Sequence, residues 1–178
     1  DIQKLLPNID SEPAKPGIKL LSHLPRNEFE VLEAAIYSQS DQSDTSVRQI
    51  TGELKYEDKS KLLKKVTNES ALSSVIYSWE ITGAFSQYFD LLTTARFENV
   101  TAQKLTPRYG FETPDIIEEA SLSDLYQQSF DLSLELYSLL QAAGFESQAS
   151  YAALLGHQMR FKIAINAYQL RNILATKP

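Results

Sequence analysis

Two stretches of the chain, far apart in sequence, alternate apolar and polar side chains at period two. In Val75-Ile76-Tyr77-Ser78-Trp79-Glu80-Ile81-Thr82, residues Val75, Tyr77, Trp79 and Ile81 face one way, and Ser78, Glu80 and Thr82 the other. The run Arg160-Phe161-Lys162-Ile163-Ala164-Ile165 repeats the pattern. β-Branched and aromatic residues at this period predict half-buried strands. Between them lies the longest helical pattern, running to about Ala143, with Leu122, Leu125, Tyr126, Phe130, Leu134, Tyr137 and Leu140 on a wide apolar face. Ser121 or Ser123 is the expected cap, and Gly144 the expected terminator. Strands and helices that alternate this irregularly predict an α+β fold, a small and mostly antiparallel sheet with flanking helices and one long helix.

Weaker signals fill in the rest. Residues 1–16 read as an arm or linker, because Pro7, Pro13 and Pro16 interrupt any helix. The domain is expected to span 17–178. Ile18-Lys19-Leu20-Leu21 is a short strand candidate, and Asn27 is placed to cap a helix through about Tyr37. The polar run 38–46 reads as a loop or a ligand-covering flap, and 57–66 as a basic surface helix. Gly83 is expected to end the first strong strand, with a helix from Ala84 to Thr94. Residues 97–113 show no periodicity. A short helix is expected over Ser147–Leu155, ended by Gly156, and helical character returns after Asn166.

At 178 residues the chain is the size of one ordinary domain, and its 43% hydrophobic and 22% charged content is that of a globular protein. It has no cysteine, which excludes disulfides, thiolate nucleophiles, zinc ribbons and iron–sulfur clusters. His23 and His157 are its two histidines, too few for a Cys/His metal site. No apolar run reaches the ~18–20 residues of a membrane span. No signal-peptide pattern of a charged n-region and apolar h-region is present in these residues, and the cytoplasm is the expected default compartment. The opening Asp1 and the uncapped end at Pro178 suggest a piece of a longer chain.

The net charge is −6, which disfavours nucleic-acid binding. Charge is also unevenly placed. Gly110 to Glu146 holds eight acids and no Lys or Arg, whereas Ser147 to Pro178 holds Arg160, Lys162, Arg171 and Lys177 and no acid. Arg96, Lys104 and Arg108 form a second basic stretch. Cations concentrated in an acidic chain suit an anionic small molecule, although a solvated face accounts for the same pattern. Glu118-Glu119 reads as acid at a helix start, and His157 as a buried structural histidine. No phosphate loop, dinucleotide fingerprint or nucleophile elbow is present.

Taken together, several segments resemble the flavin-dependent thymidylate synthase family. Thr67-Asn68-Glu69-Ser70 stands at the family's Gly-His-x-Ser-like turn, Val75–Gly83 at its aromatic strand, and Leu91-Leu92-Thr93-Thr94-Ala95-Arg96 at the end of its helix. Thr106-Pro107-Arg108-Tyr109 matches the Ser-x-Arg-Tyr that closes the Arg-His-Arg signature. Asn166-Ala167 and Asn172 keep the spacing of an Asn-Ala-Arg-x-x-x-Asn motif, with Tyr168 in place of the Arg. The likeness covers roughly 17–178. The departures are specific. If the helix fixes the register, Thr94-Ala95-Arg96 replaces Arg-His-Arg, with a short insertion after it. If the spacing to Thr106 fixes it, Arg96-Phe97-Glu98 does. In both registers only Arg96 survives. Asn68 replaces the turn histidine, Tyr151 a substrate-binding arginine, and Lys177 the last arginine.

The resemblance implies reductive methylation of dUMP to dTMP, with FAD as cofactor and methylenetetrahydrofolate and NADPH as co-substrates. No protein nucleophile is required, so the chain's tasks are positioning and electrostatics. The resemblance places Thr106, Arg108, Tyr109 and Lys177 on the nucleotide, and Ser70, Arg96, Asn166 and Asn172 on the flavin. It also implies a homotetramer, or pairing with a second similar domain. Loss of the signature arginines supports two other readings: a catalytically silent structural or oligomerisation domain, and a nucleotide or flavin binder without methyl transfer.

Overall fold

The computed structural model describes residues 15–175. Lys177 and nearly all of the expected 1–16 arm lie outside the described residues. In chain order the elements are β1 (Gly17–Leu24), α1 (Glu30–Tyr37), α2 (Asp44–Glu53), α3 (Tyr56–Leu63), α4 (Glu69–Ser73), β2 (Ile76–Ala84), α5 (Phe85–Thr94) and β3 (Asn99–Ala102). Then follow α6 (Asp115–Glu119), α7 (Ser123–Ala142), α8 (Glu146–Ala149), β4 (Gln158–Asn166) and α9 (Ala167–Ala175). The strands form one antiparallel sheet in the order β1-β2-β4-β3, flanked by the helices, so the α+β expectation holds.

The described residues group into two compact units. The first contains Ile81–Asp90 and Ala102–Phe161, and the second Ile18–Glu80, Leu91–Thr101 and the chain from Lys162. In the second, Val31 and Ala35 of α1 pack with Ala71 and Val75, and Leu63, Val66, Leu72, Tyr77 and Ala167 close around them. α4 packs on α1 and α9. The first unit centres on α7. Tyr137 packs with Ala149 and Ala152, and the buried Ser133 hydroxyl donates to the Ala152 carbonyl at 2.6 Å. Phe130 stacks on Phe111 at 3.9 Å and meets Tyr126 and His157 on its other sides.

β4 shows why period two was informative. Met159, Phe161, Ile163 and Ile165 are all buried, while Arg160, Lys162 and Ala164 are not. α7 ends as Gly144 predicts. Gly144 adopts φ +83°, its N–H donates to the Gln141 carbonyl, and the Phe145 N–H donates to the Leu140 carbonyl. That pair of bonds satisfies carbonyls the last turn leaves unpartnered.

Several expectations need correction. Neither Ser121 nor Ser123 caps α7: Leu122 stands at the cap without a side-chain bond, Ser123 is already helical, and Ser121 sits at φ 56°. Gly83 lies inside β2 rather than ending it, because the strand passes directly into α5 and Gln87 Oε1 receives the Ala84 N–H at 2.9 Å. The polar run 38–46 is not all loop. Ser43 caps α2 by accepting the Ser46 N–H, and α2 buries only Val47 and Thr51. The 147–155 helix shrinks to α8 plus a 3-10 turn over Ser150–Ala152. Glu118 lies with Asp115 in the first turn of the short α6, as acid at a helix start should, and Glu119 is its last residue. The aperiodic 97–113 stretch contains β3.

Candidate functional site

Pro107–Tyr109 forms a 3-10 turn in the first unit. Pro107 opens it without an N–H to leave orphaned. Thr106, extended at φ −147°, accepts the Arg108 N–H on its Oγ1 at 3.2 Å. Its hydroxyl keeps a hydrogen to donate. The turn is pinned at both ends to β4. The Gln103 N–H donates to the Arg160 carbonyl at 3.0 Å, and the Gln158 N–H donates to the Gly110 carbonyl at 2.8 Å.

On this turn Arg108 is exposed, yet it is oriented. Its Nη2 donates to Gln141 Oε1 at 2.7 Å, and its guanidinium carbon lies 5.6 Å from the Tyr137 ring centroid. Gln141 is held in turn, since its Nε2 donates to the Tyr137 hydroxyl at 3.0 Å. Tyr109 donates its hydroxyl to Gln103 Oε1 at 2.9 Å, and the Arg160 guanidinium sits 5.4 Å from its ring centroid. Lys104 donates to the Glu146 carbonyl at 3.3 Å. Thr106, Arg108 and Tyr109 are therefore brought together, with Arg160 and Lys104 as further cations. A planar guanidinium held by an aromatic ring and an amide is suited to bidentate recognition of a phosphate or carboxylate. Sequence reasoning had Arg160 only as part of a basic stretch, and did not connect Tyr137 or Gln141 to Arg108.

The residues assigned to flavin lie in the second unit. Ser70 is exposed on α4, and Arg96 is exposed between α5 and β3. Asn172 is partly buried on α9. Asn166 is 8% exposed and engaged at both ends of its amide. Its Oδ1 accepts the Gln169 N–H at 2.9 Å, which caps α9, and its Nδ2 donates to Glu98 Oε1 at 2.8 Å. Glu98 is itself tied to β4 by its N–H to the Ala164 carbonyl at 2.8 Å. Asn68 works similarly. Its Oδ1 caps α4 through the Ala71 N–H, and its Nδ2 donates to the Ser38 hydroxyl. Asn166 therefore serves the fold with one amide hydrogen and one oxygen lone pair, out of the two of each that it carries.

His157 is structural. It is 1% exposed, and its Nδ1 accepts the Leu154 N–H at 2.8 Å, which fixes the neutral ring with its proton on Nε2. Burial pushes its pKa down from the ordinary value. Among the described residues no group of His, Asp or Glu is arranged to hold a metal ion, and no helix is long and apolar enough to cross a membrane.

No protein-family model matches the chain, and no curated protein sequence does. Solved structures do. The fold is similar to that of a UMP/dUMP methylase. The crystal structure of PolB from Streptomyces cacaoi bound with 5-Br dUMP superposes with a TM-score of 0.68 at 13% identity, covering 91% of this chain and 78% of that one. PolB bound with 5-Br UMP gives 0.61 at 12% identity, covering 91% and 76%. At this identity the likeness is one of fold.

Proposed function

We propose that the first unit binds a pyrimidine nucleoside monophosphate of the dUMP class at the Thr106–Tyr109 turn. The observation that carries this is the orientation of Arg108 by Gln141 and Tyr137 on an otherwise acidic chain. The Arg108 guanidinium pairs with the phosphate, the Thr106 hydroxyl donates a hydrogen bond beside it, and Arg160 over Tyr109 adds positive field. The fold shared with PolB, a UMP/dUMP methylase crystallised with brominated nucleotides, supports the choice of nucleotide. In its fuller form the reading is reductive methylation of dUMP to dTMP, with methylenetetrahydrofolate and NADPH as co-substrates. FAD, when bound, supplies the redox chemistry. Ser70, Arg96, Asn166 and Asn172 are the chain's candidates for it.

Two measurements test these levels separately. Calorimetric titration with dUMP tests the nucleotide site, and saturable binding is expected. A visible flavin spectrum of the purified chain after addition of FAD tests the fuller form. If dUMP does not bind, the nucleotide reading is wrong.

A second reading has its own support. α7 exposes Leu125, Leu132, Leu136 and Leu139 at 63%, 58%, 49% and 60%, a stripe on a different face from the buried Phe130, Ser133 and Tyr137. Exposed apolar stripes of this kind mark association surfaces. This stripe suits a silent domain of the same fold that serves oligomerisation. A monomer at micromolar concentration by light scattering contradicts that reading.

A further inference from the structure

The geometry points to a second binding site in the first unit, a pocket for a small organic cation that carries N–H donors. A cavity of about 730 Å³ is walled by Glu112, Asp115, Glu118, Tyr126 and Gln158, with Ser86 and Gln87 from the start of α5. Neither Lys nor Arg lines it. The three carboxylates come from exposed residues, whereas Gln158 is 3% exposed. Gln158 Oε1 is buried and has no hydrogen-bond partner. A buried acceptor without a donor carries a standing desolvation cost, which a ligand N–H relieves.

The carboxylates set the sign of the ligand, and their arrangement sets its size. Among the described residues they form no cluster able to hold a metal ion. Carboxylates spread around a wall suit an extended cation with several donors rather than a point charge. The wall is also firmly backed. A Cβ on Gly156 would lie 2.8 Å from Phe130 Cζ and 2.9 Å from the Tyr126 hydroxyl, so only glycine fits there without displacing those rings. The Gln158 N–H bond to the Gly110 carbonyl holds the amide-bearing strand in place. The required chemistry, an N–H-bearing ammonium or guanidinium, is found both in linear polyamines and in arginine-like side chains. This site does not depend on the nucleotide reading, since it shares no lining residue with the Thr106–Tyr109 turn.

The test is calorimetric titration of the full chain, without nucleotide and at constant ionic strength, with spermidine, agmatine, tetramethylammonium and magnesium. Spermidine or agmatine is expected to bind saturably and at least tenfold more tightly than tetramethylammonium, which has the charge but no N–H, and than magnesium. The tighter of the two identifies ammonium or guanidinium as the preferred head. The exposed-site double variant Asp115→Asn/Glu118→Gln is expected to weaken that binding at least tenfold and to leave dUMP binding unchanged. Three results would overturn the proposal: no saturable binding of either amine, equal binding of all four cations, or undiminished binding by the variant.

Discussion

Arg108 Nη2 donates to Gln141 Oε1 at 2.7 Å across 33 residues of sequence, while the same guanidinium lies against Tyr137, one helical turn before Gln141. Residues four apart on a helix share a face, so α7 presents both groups to Arg108 from one side. The helix acts as a rest for the arginine. Gln141→Ala removes the amide but leaves Arg108 and the ring. Titration calorimetry with dUMP is expected to show binding weakened about three- to tenfold, the scale of one hydrogen bond worth ~1 kcal/mol. Unchanged affinity would separate Gln141 from the site.

Asn166 gives a stability prediction. It caps α9 and also donates to the Glu98 carboxylate. Asn166→Ala removes both and should cost about 2–3 kcal/mol, combining a lost cap of ~1 kcal/mol with a lost bond to a charged group. Glu98→Gln keeps an acceptor oxygen and should cost less than half as much. Urea unfolding of the two variants checks the ordering. If Asn166 instead served a ligand and not the fold, its removal would leave the midpoint in place.

The pH dependence of stability follows from His157. Burial lowers its pKa in the folded chain below the ordinary value of about 6.5. As pH falls through that ordinary value, the unfolded chain takes up a proton that the folded chain refuses, so stability is lost. The contribution is complete above about pH 7 and declines below about pH 6.5. His157→Gln should be less stable than the parent at pH 8, because the Leu154 N–H loses its partner, but should show a flatter decline between pH 7 and 5.5. Parallel slopes for the two proteins in urea unfolding would show that another group controls this range.

Much of this was readable from residue type and spacing. β2 and β4 were legible because they are half or wholly buried, and Gly144 because a left-handed terminator has few alternatives. α2 was hidden because it buries only Val47 and Thr51, too little to imprint a helical period on a polar sequence. β3 was hidden for a different reason. Asn99–Ala102 is only four residues, too short to display a period, and its neighbours Glu98 and Gln103 are held by N–H bonds to β4 carbonyls, information that resides in the partner strand. The same division applies to the site. Arg108 could be found from the Thr-x-Arg-Tyr likeness, but its orientation could not, because Gln141 and Tyr137 belong to a helix whose sequence reads only as packing. Asn166 and Asn68 show the reverse. Motif spacing marked both positions, and in the structure the amide oxygen of each also caps a helix.

The central claim is that Arg108 holds the nucleotide through its phosphate. The most direct measurement is the dissociation constant for dUMP of the parent chain, Arg108→Ala and Arg108→Lys, with deoxyuridine as the phosphate-free control. The account predicts at least tenfold weaker dUMP binding for Arg108→Ala, partial recovery for Arg108→Lys because the charge returns without the planar fork, and little change for deoxyuridine in any of them. Equal dUMP affinity in the parent and Arg108→Ala would contradict it.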